Sequence, residues 1–293
     1  MYSGAGDFLQ MCDVVVTARA AGSRQWHLGD LIWGMYQNTV FDPHTQVRLW
    51  EDEQSQLAGF AWYDLHGFIN WAIHPRTDDR DLLAEQMLAW GEAQCREQPG
   101  EPEHVLRASA LENDAADTAF LLQHGFRRDE SHLLHMVQEL DRSFPEPLLP
   151  VGWTVRHVDG EGEWAERVET HREVWHPSRV TLEAYRRLRA APGYIPELDL
   201  VAVAPDGSFG AYCICWLDPV NQSGEFEPVG TRPALRGKGI GKAVMLEGLR
   251  RLKAHGAQTA LVLTTGTNEP ARRLYESSGF RTIDRHWDFS KTC

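Results

Sequence analysis

Several features are missing from this chain, and each absence removes a class of function. No run approaches 18 consecutive apolar residues, so no membrane-spanning helix is expected. The opening stretch, MYSGAGDFLQMCDVVV, has neither a basic leader nor a long apolar core, so it does not read as a secretion signal. Cysteine is scarce: Cys12, Cys95, Cys213, Cys215 and Cys293 are scattered and odd in number. They give no disulfide framework and point to a reducing, cytoplasmic setting. Positive charge is short as well. Lys and Arg number 29 against 42 Asp and Glu, and the formal charge of −13 argues against a nucleic-acid partner. The 13 histidines form no HExxH pattern, and Cys213 and Cys215 have no further ligand types nearby. No metal site is assigned, and the two thiols read as small buried hydrophobes on a strand.

What remains is a chain of 293 residues, 42% hydrophobic, long enough for two ordinary domains. Pro145, Pro147 and Pro150 fall within six residues and resist regular structure. They mark a linker at 143–151 between halves at 1–142 and 152–293. The second half predicts a strand over 152–158, a helix over 163–175, and another helix capped by Thr181. Two strands around Pro-Asp-Gly follow, then the strand GEFEPVG, a glycine-rich turn and a helix that stops near Gly256. An apolar strand, the short helix EPARRLYESSG and a final strand complete it.

The first half repeats the later part of that order. TQVRLWED, QLAGFAWYDL and GFINWAIHP are strands, LLAEQMLAWGEAQ is a helix, and HVLRASAL is a strand. DAADTAFLLQHG is a second helix and SHLLHMVQEL a closing strand. QHGFR at 123–127 and SSGFR at 277–281 end matching helices, with Gly125 and Gly279 separated by 154 residues. Pro75 and Pro233 are 158 apart, so the spacing reads as an internal duplication.

The sharpest chemical signal is RPALRGKGIGKAV, 232–244. Gly237, Gly239 and Gly241 permit positive φ and a close approach of backbone to ligand. The run opens a helix whose first N–H groups have no intrahelical acceptor. Strand, glycine turn and helix N-terminus form an anion cradle suited to a pyrophosphate, with Arg236 and Lys238 adding positive charge. The spacing is not that of a P-loop, since Lys242 is followed by Ala243, and it is not GxGxxG. In EFEPVG, Glu225 and Glu227 start on one face of a strand. Pro228 cannot donate to a sheet ladder and predicts a bulge or an opening in that strand.

With these residues the chain resembles the GCN5-related N-acetyltransferase (GNAT) superfamily. Arg236-Gly-Lys-Gly-Ile-Gly241 is similar to its R/Q-x-x-G-x-G/A signature. Asn268, Ala271, Leu274-Tyr275 and Gly279-Phe280 are similar to its downstream pattern. The likeness is strong over 200–290 and moderate back to 151. It implies an α/β (α+β) fold of two GNAT-like domains. Each would be a mixed, mostly antiparallel sheet flanked by helices, with a splayed parallel strand pair. Acetyl-CoA, or a longer acyl-CoA, would lie in the cleft of the C-terminal domain. The resemblance implies that amides of Arg236, Gly237, Lys238, Gly239, Ile240, Gly241 and Lys242, with Leu235, hold the pyrophosphate. Val229 or Gly230 would offer a backbone N–H to the developing oxyanion. Asn268 and Ala271 would also serve the cofactor, although Asn268 reads equally well as the cap of the helix that begins near Pro270.

An amine acceptor must lose a proton before it attacks a thioester, and a carboxylate can take it. Glu225 and Glu227 are both candidates for that base, Glu225 fitting the family spacing better; the alternative for each is a solvated carboxylate or a binder of the substrate cation. Tyr275 would protonate the departing thiolate, or else is a core tyrosine. Ser178 and Arg179, between two helices, mark the acceptor region. The expected function is transfer of an acetyl group to the amine of a small molecule, with O-acylation left open and the acidic total tilting the acceptor toward a cation. The alternative is a non-catalytic, acyl-CoA-binding regulatory or sensory protein.

The first half is expected to be degenerate. Aligned on the prolines, Asp79, Asp81 and Leu83 stand opposite Gly237, Gly239 and Gly241, and Asp78 stands opposite Arg236. Carboxylates there would repel a pyrophosphate, and Leu121 replaces Tyr275. Tandem members of the superfamily with one active domain share that architecture.

Overall fold

The computed structural model describes residues 1–98 and 104–293. The chain runs through α1 (Ala5–Ala20), α2 (Leu28–Tyr36), α3 (Pro43–Gln46), β1 (Val47–Glu51), β2 (Leu57–Tyr63) and β3 (Ile69–Ile73). It continues through α4 (Arg80–Glu97), β4 (Val105–Leu111), α5 (Ala115–Gln123), β5 (Arg127–Glu139) and β6 (Thr154–His157). Next come α6 (Trp164–Val174), α7 (Leu182–Arg189), β7 (Asp199–Val203), β8 (Phe209–Asp218) and β9 (Ser223–Thr231). Last are α8 (Ile240–Ala254), β10 (Thr259–Thr265), α9 (Glu269–Ser277) and β11 (Arg281–Thr292). The expected repeat of strand, helix, strand, helix, strand is present in both halves. Among the described residues no helix is long and apolar enough to cross a membrane.

Contacts gather the chain into two units that cut across its order. One contains residues 1–27, 41–134 and 284–293; the other contains 28–40 and 135–283. The expected halves at 1–142 and 152–293 therefore exchange two segments. The physical reason lies in pairing and packing. Residues His286–Thr292 of β11 pair antiparallel with β4, while α2 packs on α7, β8 and β9. The sequence reading assigned neither α1 nor α2. The spacing of Phe8, Met11, Val14 and Val15, all buried on α1, is the helical signal that was available.

In the first unit β1, β2 and β3 form an antiparallel ladder, and Phe68, just before β3, makes an isolated parallel bridge with Arg107 of β4. Its core joins Ile69, Met87, Leu106, Leu121, Phe126 and Phe289. In the second unit the order is β6-β7-β8-β9-β10, antiparallel except for β9 with β10. Every residue of β7 is buried, and Val244, Leu246, Leu249 and Leu252 of α8 are buried as their spacing predicts. Thr181 caps α7 by accepting from the Ala184 amide at 3.1 Å, also as expected.

Each repeated glycine closes its helix with positive φ, +82° at Gly125 and +103° at Gly279. The helix starts correct the proline-based alignment. Asp79 is the residue capping α4 and Gly239 the residue capping α8, so Asp79 corresponds to Gly239. The turn of the first unit is shorter by two residues, and an alignment fixed only on Pro75 and Pro233 carries that gap into the helix.

Candidate active site

The site is framed by two strands that separate. β9 and β10 pair in parallel for three residues, ending at Glu225 with Leu261, and both strands continue beyond that point. On its other side β9 loses register with β8. Cys215 faces Phe226 but Cys213 faces Val229, so β9 holds an extra residue at Glu227–Pro228. This is the bulge expected from Pro228, and its cause is the proline's missing donor. Val229 follows it directly, half-buried on β9.

Glu225 is buried at 1% exposure. Its carboxylate lies against the first turn of α2, where a Cβ on Gly29 would collide with Glu225 Oε2 and with the Trp216 ring. Only glycine admits that approach. Glu227 is less enclosed, and Trp216 Nε1 donates to its carbonyl at 2.6 Å. The Glu227 carboxyl is held well above the ordinary carboxylate range, first by burial, then by the charges of Glu225 and Asp30. Asp30 belongs to α2 and was not anticipated, because nothing in its local sequence ties it to a strand almost 200 residues away.

Tyr275 is buried on α9, and burial followed by the charge of Glu227 raises its hydroxyl pKa. The phenol and the Glu227 carboxyl therefore share one electrostatic neighbourhood at the splayed strands. Asn268 has the cap geometry foreseen for it, with Oδ1 accepting from the Ala271 amide at 3.2 Å and a proline in the first turn.

The glycine turn lies between β9 and α8. Gly237 and Gly239 have φ of +77° and +81°, and no side chain caps α8. A Cβ on Gly241 would stand 2.5 Å from Thr231 Oγ1. Leu235 and Arg236 use their amides within a short turn, donating to Arg232 O at 2.9 Å and Pro233 O at 3.4 Å. From Gly237 through Lys242 the amides have no hydrogen-bond partner among the described residues. The Arg236 guanidinium is exposed and reaches Thr231 O at 3.3 Å, and Lys238 is exposed beside it. A run of unpaired amides at a helix N-terminus with cations at its rim fits a pyrophosphate.

Behind the strands lies a buried polar network that sequence patterning missed. Asp199, fully buried at the start of β7, accepts from Arg167 Nε at 3.0 Å, Tyr185 Oη at 2.5 Å and Tyr194 Oη at 2.9 Å. Arg189 Nη1 donates to Tyr194 Oη at 2.6 Å. Tyr212 Oη accepts from Trp175 Nε1 at 2.8 Å and lies 2.7 Å from His171 Nδ1. Burial and Arg167 hold His171 neutral, with its pKa lowered to about 3. These bonds fix α6 and α7 on β7 and β8. Ser178, between α6 and α7, accepts from the Val180 amide at 3.2 Å, and Arg179 is exposed. Cys213 and Cys215 are buried with sulfurs 3.8 Å apart, and no group of residues suited to a metal ion occurs among the described residues.

Comparison with known proteins places this geometry. Residues 163–280 match the family model for the acetyltransferase (GNAT) family. A mycothiol acetyltransferase from Saccharomonospora viridis is 28% identical over 254 residues, covering 80% of this chain and 79% of that protein. A GCN5-related N-acetyltransferase structure from Sphaerobacter thermophilus is similar with a TM-score of 0.68 at 20% identity, over 99% of this chain and 94% of the other. A tandem GNAT protein from the clavulanic acid biosynthesis pathway gives 0.69 at 17% identity, over 97% and 94%. The match over residues 163–280 and the two likenesses in structure give the C-terminal region of this chain a GNAT-type fold.

Proposed function

We propose that the second unit is an acetyl-CoA-dependent N-acetyltransferase acting on the amine of a small molecule, and that the first unit has no catalytic role. The observation that carries this reading is the conjunction at the splayed strands: a raised carboxyl at Glu227, a buried phenol at Tyr275 and the unpaired amides from Gly237 through Lys242. Acetyl-CoA supplies an activated acyl thioester. Amides from Gly237 through Lys242 hold its pyrophosphate, with Leu235 and Arg236 at the rim; Asn268 and Ala271 shape the far wall while closing α9.

Of the two glutamates, Glu227 is the better base. Glu225 is packed against Gly29 and Trp216, where it sets the position of α2 and contributes negative charge. Burial first, then that charge and Asp30, raise the proton affinity of Glu227, which suits it to accept a proton from an ammonium. Tyr275 returns a proton to the departing thiolate, and Val229 offers its N–H to the acyl oxygen. The same three carboxylates favour a cationic acceptor. Mycothiol acetyltransferases are the relatives named above, so their acceptor heads the panel of amines to be tried.

The test follows free thiol released from acetyl-CoA across that panel. Turnover is expected with at least one amine, and Glu227→Gln is expected to abolish most of it while acetyl-CoA binding persists. Unchanged turnover in Glu227→Gln would overturn its assignment as base; acetyl-CoA binding without thiol release from any amine would favour the regulatory reading.

A further inference from the structure

The first unit repeats the frame of the second and fills it with its own side chains. Beyond the Phe68–Arg107 bridge, β3 and β4 part. Trp26 Nε1 donates to Trp71 O on β3 at 2.8 Å. Gln25 Nε2 donates to Ser109 O on β4 at 3.1 Å and approaches Ser109 Oγ at 3.3 Å. Two adjacent residues thus bridge the opened strands and occupy backbone acceptors there. Both helix N-termini are also taken. Asp79 Oδ1 accepts from the Leu82 amide at 3.1 Å on α4, and Asp114 Oδ1 from the Asp117 amide at 2.9 Å on α5. A carboxylate sits where an incoming phosphate would need bare N–H groups.

Beside this plug a cavity of about 460 Å³ remains, lined by Gln25, Trp26, Trp71, Arg80, Asp114 and Asp117 among others. That volume is in the range of small-molecule sites. Its charged lining is two carboxylates against one guanidinium, Arg80, which pairs with Asp117 at 2.7 Å. His74 also lines it but adds no charge, since burial and Arg76 hold its pKa below the usual value. Gln25 Oε1 is buried without a hydrogen-bond partner. The amide cannot simply be reversed, because its nitrogen faces the Ser109 carbonyl.

We propose that this cavity is a second ligand site, taking a small ammonium compound with a short apolar or aromatic body and excluding acyl-CoA. The excess of carboxylate and the rings of Trp26 and Trp71 select that chemistry. This proposal is independent of the chemistry assigned to the second unit.

The experiment titrates benzylammonium chloride into the full chain and follows the indole N–H resonances of Trp26 and Trp71, assigned through Trp26→Phe and Trp71→Phe. Both resonances are expected to shift and saturate by about 10 mM probe, and neutral benzyl alcohol to bind about tenfold more weakly. Asp114→Asn and Asp117→Asn should each weaken the probe about tenfold without altering thiol release in the second unit. Both substitutions are isosteric and Asn retains the helix-capping oxygen at position 114, so a melting temperature close to the parent's is expected and separates lost binding from lost folding. Unmoved indole signals, parental affinity in both variants, or displacement of the probe from these two resonances by acetyl-CoA would each overturn the proposal.

Discussion

The turn before α4 and the turn before α8 occupy the same place in two copies of one fold, and they solve the same problem differently. Each must satisfy the orphan N–H groups of a helix N-terminus. Before α4, Asp79 does so with its own carboxylate. Before α8, Gly239 takes a left-handed conformation, no side chain intervenes, and the amides from Gly237 through Lys242 are left for something else. The difference teaches that a phosphate cradle is a helix start from which the cap has been withheld. The copy with a cap is complete in itself, and the copy without one presents the bare amides to which the proposed function assigns a pyrophosphate.

The largest expected effect is on proton transfer, which the proposed function places in one copy alone. Glu227→Gln should lower turnover by about 10²- to 10⁴-fold, measured as thiol release at saturating acetyl-CoA. Two pH readouts accompany it. The parent's rate should rise as pH rises through the elevated Glu227 pKa, since the base must be ionised. Stability should move oppositely: a folded carboxyl that retains its proton longer than the unfolded one loses stability as pH rises above about 4. Glu227→Gln should remove that slope in thermal melts taken across pH.

Next in size is Tyr275→Phe, which makes the second copy more like the first, where Leu121 stands. A drop of about 10²-fold in kcat is expected, with acetyl-CoA affinity kept. Gly239→Asp transplants the cap of α4 directly. Left-handed strain of about 1–2 kcal/mol, together with a carboxylate in the cradle, should weaken acetyl-CoA binding about 10- to 100-fold by calorimetry. Gly29→Ala tests the close approach of α2 to Glu225 and Trp216. Overpacking there should cost about 1–3 kcal/mol in denaturant unfolding. Smallest is Asp79→Ala, which removes the cap of the first copy. It should cost about 1 kcal/mol of stability and leave thiol release unchanged.

Local patterns made much of this molecule legible. Pro228 announced the bulge in β9, Thr181 and Asn268 announced caps that the structure forms, and the buried face of α8 followed from its spacing. The repeat was visible through Gly125 and Gly279. What escaped was long in range. Alternation along β9 placed Glu225 and Glu227 together but could not separate their roles, since that depends on α2 packing over one of them. The proline alignment of the two turns missed a two-residue gap that only the helix starts reveal. The Asp199 network escaped for the same reason: Arg167, Tyr185 and Tyr194 carry no periodic signal and meet only when β7 brings Asp199 between α6 and α7.

By itself the sequence determined the order of elements from β1 onward, the duplicated plan and the glycine turn, because propensity, capping and periodicity act between residues a few positions apart. Tertiary structure alone decided the exchange of residues 28–40 and 284–293 between units, the burial of Glu225 under Gly29, and the self-capped, plugged cleft of the first copy. Those outcomes depend on which distant surfaces exclude water together and which carbonyls find donors across the fold. Neither quantity is written in any short stretch of the chain.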